Sequence, residues 1–126
     1  MASISDYVLD AALSKLDTEA DKIYITSQEA TTYTEATSTY ALGVANSISI
    51  GAPQDRTASG GGREVVLAEV LGGNVTATGD ADTFALVDST NSRLLATGGL
   101  SSGGQTVTQG NTFILASIAL GIPDPA

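Results

Sequence analysis

Glu64-Val65-Val66-Leu67-Ala68-Glu69-Val70-Leu71 stops at Gly72-Gly73; Asn74-Val75-Thr76-Ala77-Thr78 stops at Gly79-Asp80; Thr83-Phe84-Ala85-Leu86-Val87 stops at Asp88-Ser89-Thr90-Asn91-Ser92. The rhythm continues with Arg93-Leu94-Leu95-Ala96-Thr97 before Gly98-Gly99, and with Gln105-Thr106-Val107-Thr108 before Gln109-Gly110-Asn111. Thr112-Phe113-Ile114-Leu115-Ala116-Ser117-Ile118 closes it. Short β-branched and apolar runs, with a turn signal every roughly 8–12 residues, are the pattern of an antiparallel sandwich or barrel. The expected fold is mainly β: a single antiparallel β-sandwich, immunoglobulin-like or jelly-roll, with one N-terminal α-helix.

Upstream of this half, residues 3–21 predict the helix. Ser3 or Ser5 can cap it, and Asp6 and Asp10 sit near the positive end of its dipole. Ile4, Val8, Ala11 and Ala12 form one apolar stripe; Leu9, Leu13, Leu16 and Ala20 form a second beside it. So wide an apolar face must lie on a sheet or on another subunit. Lys22-Ile23-Tyr24-Ile25-Thr26-Ser27-Gln28 alternates and predicts the first strand. Residues 29–42 are polar and Thr-rich, and three readings compete: a long surface loop, a short helical turn near Thr34–Ser38, or an arm that docks on a partner. Tyr33 and Tyr40 would anchor such an arm, or else cover one end of the core. A strand is possible at Ser47–Ile50, residues 51–62 read as a flexible loop, and Gly121–Ala126 reads as an extended tail. The expected organisation is one domain, with residues 1–21 as the helix and 22–126 as the β-sandwich carrying the 29–42 loop.

Composition narrows the function. A chain of 126 residues is one domain by prior and buries enough surface for one core. Its aromatic side chains are four Tyr and two Phe, so the core is thin and neighbouring copies are expected to add stability. The net charge of −9 opposes nucleic acid and anionic membranes. Seven of the 14 acids (Asp6, Asp10, Asp17, Glu19, Asp21, Glu29, Glu35) lie in residues 1–35, where a solvated surface explains them better than a basic partner. With neither Cys nor His, disulfides, thiolate metal sites and histidine bases are excluded. No run reaches the roughly 20 apolar residues of a membrane helix, and the N-terminus lacks the basic-then-apolar order of a signal peptide.

The chemical motifs are weak. Asp80 and Asp82, with Asp88 one strand later, supply hard oxygens, but no calcium-loop pattern follows and turns select Asp for local hydrogen bonds. A paired-carboxylate glycosidase would want aromatic cleft walls, and the chain has no Trp. Gly60-Gly61-Gly62-Arg63 has the glycine of a phosphate loop without its Lys-Ser/Thr. No serine has a histidine to activate it. The expectation is no catalytic residue, no metal and no cofactor.

One further signal lies in the wording of the chain. The run from Ala20-Asp21-Lys22-Ile23-Tyr24-Ile25-Thr26-Ser27-Gln28-Glu29 to Ala36 resembles small uncharacterised structural proteins of tailed bacteriophages and prophages. So do Thr76-Ala77-Thr78-Gly79, Phe84-Ala85-Leu86-Val87-Asp88-Ser89-Thr90-Asn91-Ser92-Arg93-Leu94-Leu95-Ala96, and the ending from Gly110-Asn111-Thr112-Phe113 to Ile122-Pro123-Asp124-Pro125. The resemblance spans most of the chain. Many such proteins carry His before the apolar strand, where this chain reads Ala81-Asp82-Thr83-Phe84, so no histidine-dependent role transfers. It implies a non-enzymatic virion component, foremost a capsid decoration (cement) protein. Such a protein would bind the major capsid protein or other virion proteins, homo-oligomerise on the particle, and be assembled in the host cytoplasm. The alternative is a tail or fibre adaptor or host-binding module presenting residues 51–63 and 98–104. The candidate partner-binding residues are Tyr7, Leu9, Leu13, Tyr33 and Tyr40.

Overall fold

The computed structural model describes residues 5–46, 48–56, 61–100 and 105–122. In chain order its elements are α1 (Asp6–Glu19), β1 (Lys22–Thr26), a π-helical turn (Glu35–Thr39), β2 (Ala41–Ala45), β3 (Gln54–Asp55), β4 (Arg63–Leu67), β5 (Val70–Val75), β6 (Gly79–Ala81), β7 (Thr83–Asp88), β8 (Arg93–Gly99), β9 (Gln105–Val107), β10 (Thr112–Leu115) and β11 (Ile118–Ile122). The protein is therefore mainly β with one N-terminal helix, its strands pair antiparallel in several sheets, and no closed barrel forms among the described residues. The chain divides into two compact units.

The first unit draws on Met1–Glu19, Ser49–Glu69 and Ala116–Ala126. Its sheet has the order β11-β4-β3, and α1 packs on β4. The helix starts where expected for a Ser cap: the Ser5 Oγ accepts the Tyr7 N–H at 3.1 Å, and the Ser5 carbonyl accepts from Val8 and Leu9. Ser3 lies outside the described residues. Leu9 and Leu13 are the buried helix positions. Residues 51–62, read from sequence as a loop, contain the short strand β3, which pairs with β4 through Gln54–Glu64 and Asp55–Arg63. The strand expected at Ser47–Ile50 shrinks to one bridge between Ile50 and Leu67; Ser47 lies outside the described residues.

The second unit draws on Ala20–Ile48 and Val70–Leu115. Its main sheet has the order β10-β5-β2-β1-β7-β8, and β6 pairs with β9 in a separate ribbon. The expected first strand is present, with Ile23 and Ile25 fully buried in the middle of the sheet. Beside it β7 is buried almost end to end, which explains its unbroken apolar run Phe84-Ala85-Leu86-Val87.

The largest departure from the sequence pattern concerns glycine. Gly72-Gly73 and Gly98-Gly99, read as turns, lie inside β5 and β8. Each pair puts one glycine opposite one of the two phenylalanines: Gly73 faces Phe113 and Gly98 faces Phe84. A Cβ on Gly73 would sit 2.2 Å from the Phe113 Cζ, and one on Gly98 would sit 2.7 Å from the Phe84 Cε1. The ring lies where a side chain would otherwise be, covering the glycine backbone with apolar surface. Three other boundaries move as well. The run Glu64–Leu71 breaks at Ala68-Glu69 into β4 and β5; Thr112–Ile118 breaks at Ala116-Ser117 into β10 and β11; and Gly79-Asp80 belongs to β6 instead of a turn.

Residues 29–42 resolve into structure. The π-helical turn forms near the position of the expected helical turn, and β2 begins at Ala41. Thr32 starts the turn by accepting the Glu35 N–H at 3.1 Å, while the Glu35 carboxylate reaches back to the Thr31 N–H and hydroxyl at 2.8 Å each. This reciprocal arrangement is a variant of the capping box, and Thr32-x-x-Glu35 is its sequence signature.

Candidate functional site

The five candidate contact residues separate by burial. On α1, Tyr7 is 83% exposed and its neighbour Val8 54% exposed, while Leu9 and Leu13 are each 3% exposed. The helix thus turns its leucines inward and presents Tyr7 and Val8 to solvent. Tyr33 and Tyr40 are half-buried, packed with Tyr24 and Leu94 against Ala30, Ala36, Ala85 and Val87. The π-helical turn holds them there: the Tyr40 N–H donates to the Glu35 carbonyl, and the Thr37 hydroxyl donates to the Tyr33 carbonyl. These tyrosines cover one end of the second unit's core, the alternative to an arm that the sequence left open.

Several charged groups are engaged in local structure. Arg63 on β4 donates to Asp10 on α1 at 2.8 Å and to Asp55 on β3 at 2.7 Å, tying three elements of the first unit. These partners hold the guanidinium well above its ordinary pKa, so its charge is fixed. Asp21 accepts from the Ser89 hydroxyl and from the Ser89 N–H. Burial opposes ionisation there, but those bonds and Lys22 outweigh it and lower the Asp21 pKa. Glu35 is likewise lowered, by hydrogen bonds from the Thr31 backbone and hydroxyl. Burial, with Tyr33 and Asp21 nearby, pushes the Tyr24 phenol up.

Two of the three acids considered for metal binding, Asp80 and Asp88, have separate partners. Asp80 accepts the Thr106 hydroxyl at 2.8 Å across the β6–β9 ribbon. The Asp88 carboxylate takes the Thr90 and Asn91 N–H groups and the Asn91 side-chain amide, closing the turn to β8. No cluster of three acids able to hold a metal ion occurs among the described residues. In the glycine run, Gly61 and Gly62 adopt positive φ and their carbonyls accept from the Arg56 side chain and backbone. That hairpin role accounts for both glycines. Gly60 lies outside the described residues, as do 101–104 of the 98–104 loop. No described helix is long and apolar enough to cross a membrane.

Two exposed apolar side chains were not singled out from sequence. Leu71 on β5 is 66% exposed and Ile114 on β10 is 64% exposed. Phe113 and Leu115 alternate inward while Ile114 points outward. The signal is present in Thr112-Phe113-Ile114-Leu115: three consecutive large apolar residues cannot all face one side of a strand. Beside Ile114 lies a cavity of about 380 Å³ lined by Val75 and by residues 105–108 and 111–114. Comparison with protein-family models, with curated proteins and with solved structures finds no match to this chain.

Proposed function

We propose that the protein is a non-enzymatic structural component of a tailed-phage virion, and specifically a capsid decoration protein that binds the major capsid protein lattice and stabilises the shell. The observation that supports this reading most is the distribution of exposed apolar side chains. Tyr7, Val8, Leu71 and Ile114 stand out from the surface of a chain carrying a net charge of −9. Leu71 and Ile114 lie on the paired strands β5 and β10, and exposed apolar side chains grouped in this way suit association with other proteins. The sequence resemblance to phage structural proteins points the same way. Under this reading the partners are shell proteins and other copies of the chain; the protein needs no cofactor and touches neither nucleic acid nor membrane. The finer fold proposal, a single antiparallel β-sandwich of immunoglobulin-like or jelly-roll type, goes with it.

A particle reconstruction tests the assignment. Density for the chain repeating over the capsid lattice supports a decoration protein. Density confined to one vertex or to the tail overturns it in favour of the adaptor or host-binding role. Purified particles without the chain overturn both.

A further inference from the structure

The strands β9 and β10 are joined by only four residues, 108–111, yet they do not pair. Strands so joined ordinarily form a hairpin. Here β9 pairs with β6 and β10 pairs with β5. The turn between them is held elsewhere: Gly110 N–H donates to the Val75 carbonyl, Val75 N–H donates to the Asn111 carbonyl, and Gln109 N–H donates to the Thr78 hydroxyl. Among the described residues each strand stands last in its sheet, and both line the same cavity of about 380 Å³.

Such edges are usually protected by Lys, Pro or an inward-pointing charge. These have none. No charged residue occurs from Leu94 to Ile122, and none lines the cavity. On a chain with 14 acids and five cations, that neutrality selects against a charged occupant, which would lose its hydration with no partner to replace it. Strands on both sides of the cavity also select against an edge already built into a folded sheet, because its next strand would compete with the opposite wall. What fits is a segment free on both edges.

We infer that the cleft between β9 and β10 is a strand-addition site for an extended, uncharged, β-branched arm of a partner polypeptide. The arm runs along the edge of β10, its backbone completing the ladder, with one apolar side chain against Ile114. The site needs no virion, so its failure leaves the particle assignment standing.

The probe is the capped peptide acetyl-Gly-Thr-Val-Thr-Val-Thr-Gly-amide, titrated into the isotope-labelled full chain and read by amide chemical shifts. Saturable shifts centred on residues 105–108 and 112–114 are expected. A peptide with Glu in place of the three Thr should bind roughly tenfold more weakly or worse, since its charges lose water in a neutral cleft. Ile114→Asp should abolish the shifts, while Ile114→Thr, uncharged at the same exposed position, should keep them. Scattered or absent shifts at millimolar peptide overturn the inference, as does equal binding of the Glu peptide. Concentration-dependent shifts of the same amides without peptide would place a second copy in the cleft and overturn the partner-arm assignment.

Discussion

Replacing Gly73 by alanine adds one carbon where the Phe113 ring already lies. That Cβ would stand 2.2, 2.3 and 2.5 Å from the ring's Cζ, Cε1 and Cε2, and contacts under 3.0 Å are essentially never seen. The clash involves half the ring, so a small rotation does not relieve it; Phe113 must leave its site or β10 must shift from β5. Phe113 is 7% exposed, so expelling it forfeits much of what Phe→Ala would, about 3–5 kcal/mol. Partial relaxation brings the expected loss to about 2–4 kcal/mol, between overpacking and full expulsion. The same substitution in a Phe113→Ala background meets no ring. There it should be neutral or stabilise by about 0.5–1 kcal/mol, because alanine is a better strand residue than glycine. Urea denaturation of the four proteins of this cycle measures the coupling directly. If Gly73→Ala unfolds at the parent's urea midpoint, or costs the same with and without Phe113, the ring does not lie on that glycine and the account of β5 is wrong.

Phe84→Ala, at 4% exposure in β7, should cost about 3–5 kcal/mol by the same reasoning; a melting midpoint near the parent's would show the ring exposed. Leu13→Ala should cost about 2–5 kcal/mol, whereas Tyr7→Ala, at 83% exposure, should stay within about 0.5 kcal/mol; equal midpoints would refute the helix orientation. Thr32→Ala should cost about 1 kcal/mol through loss of the cap on the π-helical turn, and an unchanged unfolding curve would count against that cap. Asp21 and Glu35 both have lowered folded-state pKa values, so folding favours their ionised forms. Their contribution is complete above the ordinary carboxylate range and is lost as pH falls through the lowered values. Asp21→Asn should therefore flatten the acid side of the stability profile; an Asn variant as acid-sensitive as the parent would remove Asp21 from the explanation.

The sequence exposed most of the strand content because period and burial coincide where one face is apolar, as in Lys22–Thr26. It misplaced boundaries where a distant side chain changes what a residue means. Gly73 and Gly98 look like turns until Phe113 and Phe84, far along the chain, are seen to need the space. In the 29–42 segment, Ala30 and Ala36 are buried by packing from β7, which no local pattern reports; Thr32-x-x-Glu35 carries a capping signature that the three competing readings did not use. Of the candidate contacts, Leu9 and Leu13 belong to the apolar face that the sequence placed on a sheet or on another subunit without deciding between them, and the sequence assigned no orientation to Tyr7. Ile114 was legible only through its broken alternation. The cleft beside it was not, because it depends on β9 and β10 taking different partners, and pairing is a long-range property.

The central proposal is a shell-building role, and copy number in the particle tests it most directly. If the chain is a decoration protein as proposed, quantitative mass spectrometry of purified particles should find it in a fixed proportion to the major capsid protein. A handful of copies per particle, or none, would contradict the decoration assignment.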